Sequence, residues 1–272
     1  MNNAPASCGA EGREVRRSNS PARTNSPLGC SARRGTAKQV PSGKLAADLS
    51  ALGSSTAEVA QPCVPAIELR EVSFSYGKEP FIGGLSAMFS HGAVTSIVGP
   101  NGCGKSTMVK LVDGLLRPQA GEVRVGGVPT LSLKAKARAR RVAVLAQASR
   151  PPAMTVEALV ACGRYPYQAH QGKLSREDRE HVERALELAG IARFRTQELR
   201  RLSGGERQRA FIAMTLAQDT DLIVLDEPTT YLDIRACHET MELIRRLNEE
   251  AGKTIVMVIH DLDLALRYSD RL

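Results

Sequence analysis

GPNGCGKST, residues 99–107, is the stretch that decides the fold of this chain. It fits the pattern G-x-x-x-x-G-K-[ST], in which small residues let backbone N–H groups curl around phosphate oxygens. Lys105 is expected to reach the β and γ phosphates, and the Ser106 hydroxyl is expected to bind magnesium. The apolar run Val94–Val98 precedes the motif, and the helical pattern Met108–Leu116 follows it. Strand, glycine-rich loop and helix in this order favour a phosphate-binding loop over a chance glycine-rich turn.

Four short apolar runs predict a parallel sheet with both faces covered. They are Val94–Val98, Val142–Leu145, Leu222–Leu225 and Ile255–Ile259. Polar groups follow the four runs in turn: the Gly99 loop, Gln147, Asp226-Glu227 and His260. Because parallel sheets bind ligands just outside the carboxyl ends of their strands, we expect these groups to converge on one site.

Two further patterns predict local structure. Alternation of apolar and polar residues from Ile67 to Tyr76 predicts a strand, and its phase slips between Leu69 and Val72, which indicates a bulge. In LSGGE, residues 202–206, Ser203 and Glu206 have the spacing of a helix capping box. Two glycines at such a helix start also leave room for an anion to approach the backbone N–H groups.

The chain has 272 residues, enough for one or two domains with a real core. Ala, Ser, Gly and Pro fill 31 of the first 63 positions, and basic residues outnumber acidic ones there by 8 to 4. Such a composition buries too little apolar surface, so we expect residues 1–63 to be a disordered basic tail. An over-extended translation start is the favoured origin of this tail, and a transit peptide is the alternative.

Charge and cysteine usage exclude some classes of protein. The net charge of +8 allows nucleic acid or an anionic membrane as partner without requiring either. No apolar run approaches the roughly 18–20 residues of a membrane span, which leaves a membrane-attached subunit but not a spanning one. The six cysteines form no C-x-x-C pair, so we expect free thiols rather than a zinc site. The basic run Lys134–Arg141 is interpreted as a solvated face, with anionic lipid as the alternative and nucleic acid third, because the run contains no aromatic residue.

The motifs taken together resemble the ATP-binding subunit of an ABC transporter, over about residues 66–272. The matching elements are Tyr76, GPNGCGKST, Gln147, LSGGE, LIVLDEP (residues 222–228), Thr230–Asp233 and His260. The resemblance implies an α/β P-loop NTPase fold with a mostly parallel sheet, an N-terminal antiparallel β subdomain and an inserted α-helical subdomain at about 151–215. The ATP-binding domain is thus expected to span residues 64–272.

The resemblance also implies a role for each matching residue. Glu227 is the expected general base, and His260 and Lys105 complete the catalytic set. The residues expected to contact ATP are Tyr76, Gly99, Pro100, Asn101, Gly102, Cys103, Gly104, Lys105, Ser106, Thr107 and Gln147. Mg²⁺ is expected at Ser106, Gln147 and Asp226. In a head-to-tail homodimer, the residues expected to act on the ATP of the other copy are Ser203, Gly204, Gly205, Glu206 and Asp233.

Finer resemblance concerns the transported substrate. CGRYPY (residues 162–167), AMTLAQ (213–218) and LDEPTTYLDI (225–234) resemble importers of ferric siderophores, with haem and cobalamin importers close by. This implies a peripheral subunit on the cytoplasmic face of the inner membrane, with ATP and Mg²⁺ as cofactors. The implied partners are an integral-membrane permease and, indirectly, a substrate-binding protein, with no direct contact to nucleic acid.

Two alternatives stay open. A soluble ABC ATPase acting on DNA or ribosomes is permitted by the +8 charge and the basic tail. The other is a truncated chain with impaired ATPase activity, because the sequence stops at Leu272, about a dozen residues after His260, whereas the resembling family continues. On that interpretation the C-terminal part is incomplete, and one edge of the core is expected to be uncovered.

Overall fold

The computed structural model describes residues 64–147, 151–168 and 173–272. The predicted disordered tail, residues 1–63, lies outside these described residues. In chain order the strands and helices are β1 Ile67–Phe74, β2 Ile82–Phe89, β3 Val94–Ile97, α1 Lys105–Val112, β4 Ala120–Val125, β5 Val128–Pro129, α2 Ala135–Ala139, β6 Val142–Leu145, α3 Val156–Cys162, α4 Arg176–Leu188, α5 Gly204–Ala217, β7 Leu222–Asp226, α6 Ile234–Glu249, β8 Thr254–Val258 and α7 Leu262–Tyr268. In this part of the chain no helix combines the length and the apolar character needed to cross a bilayer.

The four predicted buried strands form one parallel sheet in the order β3-β8-β7-β6. Every residue of β7 and β8 is buried. Along β7, Ile223 and Leu225 join the apolar core that contains α3, α4 and α5, whereas Leu222 and Val224 join the core that contains α1 and β1. Alternate side chains of a strand point to opposite faces, so the unbroken apolar run serves two cores at once.

The antiparallel sheet has the order β2-β1-β4-β5. Its predicted bulge is confirmed, because the pairing of β1 with β2 shifts between Leu69 and Val72 and Glu71 has φ 48°. The predicted helix after the phosphate loop ran to Leu116, and this end was wrong. Helix α1 ends at Val112 because Gly114, with φ 68°, takes a left-handed conformation that stops the helix.

The inserted helices α3, α4 and α5 pack together around the CGRYPY stretch. Gly163 follows α3, and a Cβ at this position would overlap the backbone oxygen of Met214 on α5. The buried Arg164 guanidinium donates to Asp178 at 2.9 Å and to the Ala217 carbonyl at 2.8 Å. One arginine therefore joins the end of α3 to the start of α4 and the end of α5.

The outer edge of β3 is bonded by the residues that follow α7. The Asp270 amide donates to the Val94 carbonyl at 2.8 Å, and the Ser96 amide donates to the Arg271 carbonyl at 2.9 Å. The Asp270 carboxylate also accepts from the Val94 amide at 2.8 Å. The expectation of an uncovered sheet edge is therefore wrong at Val94 and Ser96, since backbone groups there already have partners.

We predict that Asp178→Ala lowers the free energy of unfolding by about 3–5 kcal/mol, because it leaves the buried Arg164 charge without its partner. Urea unfolding measures the difference. The matched control is Glu180→Ala, which removes an exposed carboxylate that pairs with Arg176 on the same helix. That control is expected to change the free energy by less than about 1 kcal/mol. Equal effects of the two substitutions would contradict the prediction.

Candidate functional site

Polar groups from the carboxyl ends of the parallel strands converge as the sequence analysis expected. Glu227 directly follows β7, and its carboxylate is bonded by Gln147, which lies after β6, and by His260, which lies after β8. The loop that follows β3 reaches the same place, because Ser106 bonds to Asp226 at the end of β7. Four segments far apart in sequence therefore meet at one edge of the sheet.

The predicted phosphate-binding loop has a backbone conformation that is compatible with oxyanion binding. Gly102 and Gly104 have φ 80° and 101°, a region in which an L side chain is strained. Helix α1 begins at Lys105 with no side-chain cap, so its first N–H groups can bond an anion. Lys105 is buried, and its ammonium donates to the carbonyls of Gly99 and Pro100, both at 2.8 Å. These bonds hold a positive charge inside the curve of the loop.

Ser106 and Asp226 offer oxygen ligands for a cation. The Ser106 hydroxyl donates to Asp226 Oδ1 at 3.2 Å. Burial raises the pKa of Asp226, against the hydrogen bond from Ser106. The described residues contain no group of three or more His, Cys, Asp or Glu side chains placed to hold a metal ion. The chemistry of the Ser106 hydroxyl and the Asp226 carboxylate fits Mg²⁺, which is usually held by one or two protein oxygens together with phosphate oxygens and water.

The Glu227 carboxylate is held on both of its oxygens. His260 Nε2 lies 2.5 Å from Oε1, while Oε2 accepts from Gln147 Nε2 at 2.8 Å and from Thr230 Oγ1 at 2.9 Å. Burial raises the pKa of Glu227, but the bonds to His260 and Thr230 outweigh it and hold the pKa below its ordinary value. The carboxylate is therefore ionised at neutral pH and able to accept a proton. Sequence reasoning missed the bond from Thr230, which the three-residue spacing from Glu227 could have indicated.

Tyr76 stands beside the phosphate loop with its ring accessible. Its hydroxyl is hydrogen-bonded to the Thr107 hydroxyl at 3.0 Å. The rings of Phe74 and Phe81 meet it edge-on at centroid distances of 4.9 and 5.5 Å. Tyr76 remains 61% exposed, so much of this oriented side chain is accessible to a ligand.

The LSGGE stretch lies in a separate groove. The capping box is confirmed, because Ser203 Oγ accepts from the Glu206 amide and the Glu206 carboxylate accepts from the Ser203 amide. The groove also contains Gly204, Gly205, Tyr231, Leu232 and Asp233. Among the described hydrogen bonds, none joins Ser203–Glu206 or Asp233 to the phosphate loop. The residues expected to act in trans thus line one groove together.

The family model described as "ABC transporter" matches residues 82–230, from β2 through the phosphate loop to Thr230. The chain belongs to the ABC transporter family. It is an ATP-binding ATPase of this family, as the resemblance of its motifs implied.

Three relatives illustrate the match. The chain is 45% identical over 208 residues to the petrobactin import ATP-binding protein FpuD of Bacillus anthracis, covering 76% of each chain. It is 43% identical over 203 residues to the ferric enterobactin transport ATP-binding protein FepC of Escherichia coli K12, covering 74% of this chain and 75% of the relative. The ATP-binding cassette MJ0796, solved as a dimer with ADP and Pi, is 31% identical with a TM-score of 0.64, covering 75% and 91%.

The basic run before β6 is more than a solvated face. Lys136 donates to the Gln168 carbonyl at 2.7 Å, and its ammonium lies 5.0 Å from the centre of the Tyr165 ring. Arg140 donates to the Pro166 carbonyl at 2.8 Å and also stacks on an aromatic ring. The run itself has no aromatic residue, but the fold brings aromatic rings to it from CGRYPY. These two cations therefore tie α2 to the inserted helices.

Cys103 is an exposed thiol inside the phosphate loop of this ATPase. Its sulfur lies 3.7 Å from the Lys105 ammonium. A Cβ on Gly99 would come within 3.1 Å of the same sulfur, which shows how closely the loop is packed there. A group attached to the sulfur would occupy the space in which phosphate is expected to bind.

We predict that a thiol alkylator blocks ATP hydrolysis by this chain and that Cys103→Ala protects it. Alkylation adds bulk at the one thiol of the phosphate loop, whereas the exposed Cys162 lies at the end of α3. Hydrolysis is measured before and after treatment of both proteins, with Cys162→Ala as the matched control that stays sensitive. A Cys103→Ala protein that loses activity like the original chain would contradict the prediction.

Proposed function

We propose that this chain is the ATP-hydrolysing subunit that powers import of a metal chelate, an iron–siderophore complex, through a membrane permease. The observation that carries the proposal is the 43–45% identity to ATP-binding proteins of petrobactin import and ferric enterobactin transport. The chain is also 41% identical to a cobalamin import ATP-binding protein of Halobacterium salinarum, so the proposed substrate class extends to other metal chelates. The permease and a substrate-binding protein are the proposed partners, and the cytoplasmic face of the membrane is the proposed location.

Hydrolysis is proposed to depend on positioning and charge. Lys105 and the N-terminal amides of α1 hold the β and γ phosphates, and Tyr76 stacks on adenine. Glu227 accepts the proton of the attacking water, and His260 contacts the γ-phosphate. Ser106, Asp226 and Gln147 would hold Mg²⁺, which would supply charge neutralisation at the phosphate oxygens. The ionised, doubly held Glu227 carboxylate supports this assignment.

Two copies are proposed to close head to tail around two ATP molecules. The groove with Ser203–Glu206 and Asp233 has no bond to the phosphate loop of its own chain among the described residues, which supports a role toward a second copy. The similar cassette MJ0796 is a dimer in its ADP and Pi complex. In the proposed dimer, Ser203 and Gly205 contact the γ-phosphate held by the other copy. ATP binding then favours the closed dimer, and ATP hydrolysis allows the dimer to open.

We predict that Glu227→Gln lowers the hydrolysis rate by about 100-fold or more, because general-base catalysis contributes roughly 10²–10⁴-fold. The variant keeps ATP affinity and accumulates as an ATP-bound dimer, which size-exclusion chromatography detects. Lys105→Ala is expected to lose both hydrolysis and ATP binding, since it removes the buried ammonium of the phosphate loop. Glu180→Ala, an exposed change on α4, is the control with unchanged activity. Near-normal turnover of Glu227→Gln would show that another group is the base.

We predict that the tagged chain, isolated from detergent-solubilised cells, carries a polytopic permease, which mass spectrometry identifies. The identity of that permease would narrow the substrate to one class of chelate. The Lys105→Ala chain serves as a control for association that does not require ATP. Recovery of ribosomes or of DNA-repair proteins instead would overturn the import proposal in favour of a soluble ATPase.

A further inference from the structure

Thr230 bonds the carboxylate of Glu227 from the loop that directly follows it. The Thr230 hydroxyl donates to Glu227 Oε2 at 2.9 Å, and the pair is partly buried. We propose that Thr230 is a positioning residue for ATP hydrolysis, which holds the Glu227 carboxylate in the orientation that accepts a proton from water. This inference rests on the proposed function, in which Glu227 is the general base.

The backbone delivers the Thr230 hydroxyl from a tight and unusual turn. Glu227 and Tyr231 have φ 55° and 65°, left-handed values that are unfavourable for residues other than glycine. The Thr230 amide donates to the Glu227 carbonyl at 3.3 Å, and the Leu232 amide donates to the Thr229 carbonyl at 3.3 Å. Strained backbone of this kind persists only where the surrounding structure fixes it, and it is concentrated at functional sites. The turn therefore places the hydroxyl at a set distance from the carboxylate.

The other two partners of Glu227 have a second task in the proposed reaction. Gln147 is expected at Mg²⁺, and His260 is expected at the γ-phosphate. Both are exposed, whereas Thr230 is partly buried. When Gln147 turns to the nucleotide site, Thr230 is the described donor that stays on Oε2. Because threonine is branched at Cβ, few rotamers compete with the one that makes this bond.

One side of the same loop is exposed, and a contact between the two copies there is an alternative role for Thr230. Tyr231 is 89% exposed and, like Asp233, borders the groove that contains Ser203. In the proposed dimer this side faces the second copy. Thr230 could then matter only by shaping the dimer contact, so the test must measure dimerisation apart from turnover.

The experiment compares Thr230→Val, which removes the hydroxyl at nearly constant volume, with Thr230→Ser, which keeps it. Thr229→Val is the matched control, because the neighbouring hydroxyl forms no hydrogen bond among the described residues. We expect Thr230→Val to lower kcat by about 10- to 100-fold, the range for a lost bond to a charged group or a misplaced reacting group. KM for ATP is expected to change less than about twofold, since ground-state binding is untouched. Thr230→Ser is expected to recover most of kcat, and Thr229→Val to match the original chain.

Dimerisation is measured by size-exclusion chromatography with ATP after adding Glu227→Gln to each variant, and thermal unfolding verifies that each is folded. Thr230→Ala is measured in parallel, because it removes the hydroxyl without introducing the second methyl group of valine. Retained dimerisation with reduced kcat supports the positioning role. An unchanged kcat, a loss of dimerisation, or a failure of serine to rescue would overturn the positioning role. The proposed function would still stand in these cases, because the original chain hydrolyses ATP. Absence of turnover in the original chain itself would overturn the proposed function, and the positioning role with it.

Discussion

The parallel pairing of β7 between β6 and β8 is the constraint on which the rest of the structure depends. It sets the ends of three strands side by side, so that the side chains of Gln147 and His260 both bond the Glu227 carboxylate. β3 lies on the far side of β8 and sends the phosphate loop to the same edge. A shift in register of one strand would turn its buried side chains to the opposite face and carry its polar end away from the others.

The two apolar cores give this edge its rigidity. Every residue of the central strands β7 and β8 is buried, and helices on either side pack against alternate positions. The strands are therefore held by packing on both faces. Two energetically unfavourable features of the site lie beyond the ends of the strands. Lys105 is buried without a carboxylate among its described partners, and Glu227 takes a left-handed backbone conformation. A rigid sheet can hold such groups in place, whereas a mobile loop would relax them.

The inserted helices are joined to the sheet domain by polar contacts as well as by packing. Arg164 joins three helices from within, while Lys136 and Arg140 reach across from α2 to the CGRYPY stretch. At the end of the LSGGE helix, Gln218 donates to the Val142 carbonyl at 3.0 Å, at the start of β6. The helix that Ser203 caps is thus bonded at its far end to the strand that leads to Gln147.

Local sequence patterns by themselves determined the elements of this protein. Apolar runs predicted the four buried strands, the spacing of Ser203 and Glu206 predicted the capping box, and GPNGCGKST predicted the phosphate loop. These features depend on neighbours close in the chain, so the sequence contains their physical cause. The end of α1 at Val112 was mispredicted, because the conformation of Gly114 outweighed an apolar pattern that continued past it.

Contacts between distant segments were decided by the tertiary structure alone. The aromatic rings that meet Lys136 and Arg140 come from residues about 25 to 30 positions away, and no pattern within the basic run indicates them. The partners of β3 at its outer edge and the partners of Arg164 likewise depend on how the elements pack. The order of polar groups along the chain predicted that a site exists at the sheet edge. The bonds that hold Glu227 by both oxygens follow only from the sheet order and the turn at Thr230, because they join atoms that the chain brings together by folding.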